Sequence, residues 1–284
     1  MAILIALIPA LAWGSIGLVS GKLGGNAQQQ TLGMTLGALV FGVGMWIFVQ
    51  PNIDGKTWLF GIISGLFWAL GQSQQFSAMK SIGVSMAVPM STGLQLVANT
   101  LAGALLFHEW KDGHDITLGL IAMVVLIAGA TFTSLREKKQ AKEGASAMTK
   151  GMQALIISTI GYAGYTIVYT ASSLDATAVV LPQSIGMVIG ALLFAAKANP
   201  VNKATAKNVI TGLFWGTGNV FMLMATKDIG LAVAFSMSQM GIVISTFGSI
   251  FFLGEHKTKK EMVYVTMGSL LVIIGGVILG IMKA

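Results

Sequence analysis

The chain has 284 residues, of which 55% are hydrophobic and 10% charged, with a mean hydropathy of +0.80. Soluble domains carry about 25% charged residues, so this composition excludes an ordinary water-soluble fold and points to an integral membrane protein. The formal net charge of +7 raises nucleic acid as a partner, but the basic residues sit in short clusters between apolar runs without interleaved aromatics. Positive-inside loops account for them, and no nucleic-acid partner is expected.

The opening stretch, MAILIALIPALAWGSIGLVSGK, has an apolar core with no basic region ahead of it. It reads as a first membrane helix near 3–21 rather than a signal peptide. About 20 apolar residues cross ~30 Å of hydrocarbon, and nine further runs of that kind follow. They lie near 31–49, 57–78, 84–107, 115–135, 151–171, 178–197, 207–225, 229–253 and 261–282. These runs are continuous rather than alternating, which excludes barrel strands and predicts an all-α integral membrane protein in the lipid bilayer.

The extended polar linker REKKQAKEGASAMTK, 136–150, falls near the middle, and the sequence on either side of it repeats. SGLFWALGQSQQFSAMKSIGVSMAVPMS (64–91) aligns without gaps on TGLFWGTGNVFMLMATKDIGLAVAFSMS (211–238), pairing Trp68 with Trp215 and Lys80 with Lys227. LGMTLGALVF (32–41) likewise matches IGMVIGALLF (185–194), and FHEWK (107–111) matches LGEHK (253–257). The predicted domains are therefore a first five-helix repeat over 1–135, the linker 136–150, and a second repeat over 151–284. Five is odd, so the second copy starts on the opposite face of the membrane. The two repeats are then inverted, as in carriers that work by alternating access. Lys56, Lys111, Lys227 and Lys283 lie on the side of the termini, while the other thirteen Lys and Arg lie opposite. That asymmetry places the termini outside and the linker in the cytoplasm.

All ten acidic residues fall in loops or at the ends of apolar segments, so a cationic substrate would find no counter-charge in the interior. The basic residues are equally peripheral, which argues against an anionic one. The chain has no cysteine and only three histidines, so no metal and no cofactor are expected. Without a nucleophile–base or metal constellation at membrane depth, the chain is not expected to be an enzyme.

Interior polarity is instead neutral. On helix 3, Trp68, Gln72 and Gln75 share one face at i, i+4, i+7 spacing, and on helix 4 Thr92, Gln95 and Asn99 share one likewise. The second half adds Trp215, Asn219 and Gln239, and Trp13 on helix 1 with Tyr162, Tyr165 and Tyr169 on helix 6 adds aromatic surface. Amides donate to and accept from hydroxyls while an indole face covers C–H groups, so this mixture suits a neutral monosaccharide or polyol. Amides in membrane helices also bond neighbouring helices at about 0.6–2 kcal/mol without any ligand. Three amides within 72–75 cannot all meet one neighbour, so Gln72 and Gln75 are assigned to the cavity and Gln74 to helix contact.

Gly33/Gly37, Gly61/Gly65, Gly186/Gly190, Gly212/Gly216 and Gly276/Gly280 are small-xxx-small pairs expected to pack helices. Pro89 and Pro182 are gating candidates through the kinks they introduce. Gln30 and Gln183, at matching positions, are candidates for gating or capping. If a proton drives transport, the carboxylates available to carry it are Asp175 and the repeat-related Glu109 and Glu255. The alternative reading is an exporter or facilitator of another neutral metabolite or drug on the same fold.

LIPALAWGSIGLVSGKLGG (7–25), followed by QQTLGMTLGALVFG (29–42), resembles the glucose/ribose porter family of bacterial sugar uptake proteins, within the drug/metabolite transporter superfamily. The likeness runs over the whole chain. It implies uptake of glucose or ribose across the bacterial cytoplasmic membrane by proton symport, with helices 1–4 and 6–9 around a central cavity and helices 5 and 10 behind. Members of the wider superfamily are described with cytoplasmic termini, opposite to the orientation that the lysine count supports here.

Overall fold

The computed structural model describes residues 2–108, 110, 112–137, 145–195, 200–229, 238 and 240–282. Among these the protein is entirely helical, with ten helices and no strand. They are α1 (Ala2–Leu23), α2 (Ala27–Val49), α3 (Gly55–Ile82), α4 (Val84–Leu105), α5 (Gly113–Ser134), α6 (Ala145–Ala171), α7 (Val180–Ala195), α8 (Lys203–Ile229), α9 (Gly241–Phe252) and α10 (Lys259–Met282). Four stretches are long and apolar enough to cross a bilayer: Ala27–Val49, Gly113–Ser134, Ala145–Ala171 and Lys259–Ile281. Leu7–Leu23, Val180–Ala195 and Gly241–Phe252 are shorter apolar helices.

Local chemistry explains the helix ends. Asn26 accepts from the Gln29 backbone N–H at 2.9 Å while the Gln29 side chain accepts from the Asn26 N–H at 3.0 Å, so α2 starts on a capping box. Asp54 accepts from the Thr57 N–H at 2.7 Å ahead of α3. That helix runs on to Ile82, past its expected end near 78, and a single residue, Gly83, separates it from α4. Gly83 has φ +84°, a left-handed backbone that glycine adopts without a Cβ penalty. α6 begins at Ala145, inside the stretch expected as linker.

The helices group into two compact units. The first contains Met1–Leu18, Ala78–Leu155 and Thr217–Ala284; the second contains Val19–Ser77 and Ile156–Gly216. Each unit draws on both halves of the sequence.

In the first unit α5 and α10 cross at glycine, where a Cβ on Gly129 would lie 2.9 Å from the Gly268 carbonyl oxygen. Leu96, Ala122, Leu126, Ile242, Val272 and Leu279 form a core there. Outward-facing positions are apolar as well, with Val124 67% and Phe252 78% exposed, the pattern of a surface meant for lipid rather than water.

The second unit is built on two crossings of small residues. α2 meets α8 through Gly37 and Gly212: a Cβ on Gly37 would stand 1.9 Å from the Val209 oxygen, and one on Gly212 would stand 2.0 Å from the Met34 oxygen. α3 meets α7 through Gly65 and Gly186, which abut the Gln183 and Ile62 carbonyls at 2.1 and 2.2 Å on the same test. Repeat-matched glycines thus make both crossings, since Gly65 pairs with Gly212 in the sequence and Gly33/Gly37 with Gly186/Gly190. Such backbone approach permits close van der Waals packing where lipid supplies no hydrophobic drive.

Candidate functional site

Within the second unit, α3 and α6 approach at Gly71 and Gly161. A Cβ on Gly161 would sit 2.4 Å from the Gly71 nitrogen, and the Ser158 hydroxyl donates to the Gly71 carbonyl at 2.7 Å. This contact sets the next residue of α6, Tyr162, over the polar face of α3. The Tyr162 hydroxyl lies 2.7 Å from Gln72 Oε1 and 3.1 Å from Gln75 Oε1, and Gln72 Nε2 donates to Gln75 Oε1 at 3.3 Å. A phenol carries one proton, so the shorter bond to Gln72 takes it in full, with the Gln75 oxygen as a second acceptor.

Two indoles extend the cluster from the Tyr162 ring. Trp68 meets Tyr162 edge-on with ring centroids 6.3 Å apart, and it meets Trp215 of α8 at 5.6 Å with an interplanar angle of 63°. Such edge-to-face pairs contribute about 0.5–1.5 kcal/mol beyond area burial. Trp68, Gln72, Tyr162 and Trp215 are all buried, while Gln75 is half-buried. Buried amides hold their geometry only when partnered, so the Tyr162 bridge fixes both side chains in place.

Of the site residues expected from sequence, Trp68, Gln72, Gln75 and Trp215 come together here. Trp13, Gln95, Asn99 and Asn219 belong to the first unit. There Trp13 packs on α8, where a Cβ on Gly218, the neighbour of Asn219, would lie 2.1 Å from the indole nitrogen. Gln95 donates to Ser91 Oγ at 2.9 Å along α4. Gln239 and Glu109 lie outside the described residues.

Gln30 is buried and donates to the Ser20 and Gly24 carbonyls at 2.7 and 3.3 Å, closing the end of α1; Gln183 donates to Ser64 Oγ at 2.7 Å across the α3–α7 crossing. Pro89 lies inside α4, and Pro182 sits in the first turn of α7. Sequence reasoning placed Tyr162 only as aromatic surface. The signal for its hydroxyl bridge was the small-residue pair Gly71 and Gly161, which no i, i+4 rule joins.

Asp175 precedes α7, and its Oδ1 accepts from the Thr177 hydroxyl at 2.6 Å and from the Thr177 and Ala178 N–H groups, each at 2.9 Å. The Thr177 hydroxyl bond, followed by the backbone bonds, holds this carboxyl below the ordinary aspartate range. A depressed carboxylate contributes stability above its unfolded value and loses it as the pH falls through the folded one. Asp175→Ala is therefore expected to lower stability at neutral pH, with the gap to the parent closing below about pH 4. Melting of the detergent-solubilised pair at both pH values checks this.

Comparison with known proteins places this arrangement in a family. The family model described as "Sugar transport protein" matches residues 4–282. A "Putative sugar uptake protein" of Lactiplantibacillus plantarum is 61% identical over 286 residues, covering 100% of each chain. A protein of the same description from Enterococcus faecalis is 53% identical over 287 residues, again covering 100% of each. A "Probable glucose uptake protein GlcU" of Priestia megaterium is 47% identical over 286 residues with the same coverage. The fold recurs in a protein of known crystal structure at 16% identity and a TM-score of 0.60, covering 100% of this chain and 99% of that one. These relatives are named for uptake rather than for catalysis. With a family match over nearly its whole length, and with helices of bilayer-crossing length and apolarity, this multi-pass membrane chain belongs to the sugar transport protein family.

Proposed function

We propose that the protein is a secondary carrier that brings a neutral monosaccharide of the glucose or ribose class across the bacterial cytoplasmic membrane. It works by alternating access of two inverted five-helix repeats and is coupled to proton entry. The observation that carries this reading is the pairing of Gln72 and Gln75 under the Tyr162 hydroxyl, whose ring meets Trp68, itself packed on Trp215. Sugar hydroxyls need neighbours that both donate and accept, and amides do both without the desolvation cost of a charge. The indole faces supply the surface for the sugar's C–H groups. Carriers of this architecture bind substrate near the midplane, and Trp68 lies at the middle of α3, with Gln72 and Gln75 following on the same face.

Trp13, Gln95, Asn99, Asn219 and Gln239 are proposed as further sugar-binding residues from the sequence pattern alone. The absence of Asp, Glu, Lys or Arg from the described cluster supports a neutral rather than an ionic substrate.

Purified protein in proteoliposomes is expected to accumulate labelled glucose or ribose when the outside is made acidic. Collapsing the gradient with a protonophore should leave only equilibration. Equal uptake with and without the gradient identifies a facilitator, and failure to move any sugar while another neutral metabolite is transported overturns the sugar assignment.

A further inference from the structure

The first unit holds an apolar crevice that the proposed sugar site does not use. It lies between α4 and α5 and has a volume of about 200 Å³. Met90 and Val97 of α4 and Leu126 and Ala130 of α5 line it, with Met152 of α6 beside them. Ile127, also in the lining, is 56% exposed, so the crevice opens on the apolar outer surface.

The crevice occupies one end of α5, the last nine of its 22 residues. The eight-residue step from Leu126 to Ser134 spans about 12 Å at helical rise, and one leaflet of a ~30 Å hydrocarbon core is about 15 Å deep. Along that distance the polarity is graded. The lining is apolar until Thr131 and Ser134, whose hydroxyls donate to the Ile127 and Thr131 carbonyls at 2.8 and 2.7 Å.

Two residues beyond Ser134 comes a cation. Arg136 is half-buried, and its Nη2 lies 3.4 Å from the sulfur of Met86, one helical turn before Met90 on the same face of α4. The guanidinium is thus held at the hydroxyl end of the crevice. It carries five donors, and a thioether is a weak acceptor, so the sulfur leaves it with donors to offer. Lys257 interacts with Arg136 as a like charge, and with Glu255 and Glu261 as opposite ones. Both carboxylates are engaged. Glu255 accepts from the Val84 N–H at 2.5 Å and the Ser85 N–H at 3.1 Å at the start of α4, and Glu261 accepts from the Thr258 and Glu137 N–H groups, each at 3.3 Å.

We infer that the crevice seats one phospholipid: an acyl chain lies between α4 and α5, the ester region is level with Thr131 and Ser134, and the phosphate accepts from the Arg136 guanidinium. Hydrocarbon, then hydroxyl, then guanidinium is the order in which a lipid presents its chain, its esters and its phosphate. A free phosphate has no use for the apolar part, and a bare hydrocarbon has none for the cation. Arginine suits the role because its planar fork can hold two phosphate oxygens at once. The site does not depend on which solute the protein carries.

The test adds dioleoylphosphatidylglycerol, dioleoylglycerol or inorganic phosphate to delipidated protein in detergent. Native mass spectrometry reads the lipid retained, and the melting temperature reads binding to the folded state. The parent is expected to keep one phosphatidylglycerol, to hold dioleoylglycerol about tenfold more weakly, and to show no shift with phosphate; tenfold is the scale of one charge-assisted contact. Arg136→Gln should bring phosphatidylglycerol down to the level of dioleoylglycerol. Lys203→Gln, which removes the same charge from the second unit, should change neither lipid. Ala130→Leu, which fills the crevice, should weaken both.

Equal retention of the two lipids by the parent overturns the inference, as does undiminished phosphatidylglycerol binding by Arg136→Gln. A shift with phosphate alone that matches the lipid's makes this a site for a free anion and overturns it too. A dimer that Ala130→Leu dissociates assigns the crevice to a second copy of the chain instead. Should Ala130→Leu fail to fold, the comparison of Arg136→Gln with Lys203→Gln decides.

Discussion

Gln72→Ala is expected to lower the efficiency of sugar uptake by about 10- to 100-fold while leaving the protein folded. The amide donates to Gln75 and accepts from Tyr162, so its removal takes away one proposed sugar contact and leaves the Tyr162 hydroxyl with only the longer bond to Gln75. A buried polar group left unpaired costs about 1–3 kcal/mol, and 1.4 kcal/mol corresponds to a factor of ten. Tyr162→Phe tests the same network from the other side. It preserves the ring packed on Trp68 but removes the hydroxyl that donates to Gln72 Oε1, with Gln75 Oε1 as its second acceptor. The loss should then appear mainly in KM, because the amides remain but are no longer held in one arrangement. Initial rates in proteoliposomes, normalised to folded protein by size-exclusion chromatography, give the answer. Parent-like uptake by a folded Gln72→Ala variant would remove this cluster from the binding site.

The second large effect concerns folding. Gly212→Val is expected to destabilise the protein by more than about 3 kcal/mol and to leave little folded material after extraction. A Cβ at that position would meet the Met34 oxygen at 2.0 Å and the Ala38 nitrogen at 2.4 Å, both backbone atoms that cannot rotate away. α2 would have to move off α8 along the whole crossing. Gly44→Ala is the matched control in α2: nothing lies within 4 Å of its Cβ, and alanine is a better helix former by about 1 kcal/mol. Fluorescence-detected chromatography after a heat step should show the first variant lost and the second at or above the parent. Survival of Gly212→Val would mean that the two helices do not cross as described.

Much of the architecture was legible from the chain alone, for reasons that are local. Residues 116–130 are apolar apart from Thr117, and because no water is available to satisfy backbone groups in lipid such a run forms a helix, here Gly113–Ser134. Small-xxx-small pairs marked the crossings of α2, α3, α7 and α8 because only residues without side chains allow backbones to meet. The ends of helices were less legible. α3 extends to Ile82, where Gly83 at positive φ provides the stop, and α6 starts at Ala145, within the polar stretch 136–150.

The candidate site divides in the same way. The shared face of Trp68, Gln72 and Gln75 follows from 3.6 residues per turn and needs no tertiary information. That Gln183 holds Ser64, and that Gln30 closes α1, depends on which helix lies alongside. Sequence by itself determined the apolar, helical character of the chain and its internal sequence repeat, because each follows from composition or from patterns read along the chain. Tertiary structure alone decided that Tyr162 bridges two glutamines about 90 residues earlier and that Glu255 closes a helix about 170 residues earlier. Those contacts form where helices cross, and which helices cross is set by packing of the whole chain rather than by the residues on either side of the contact.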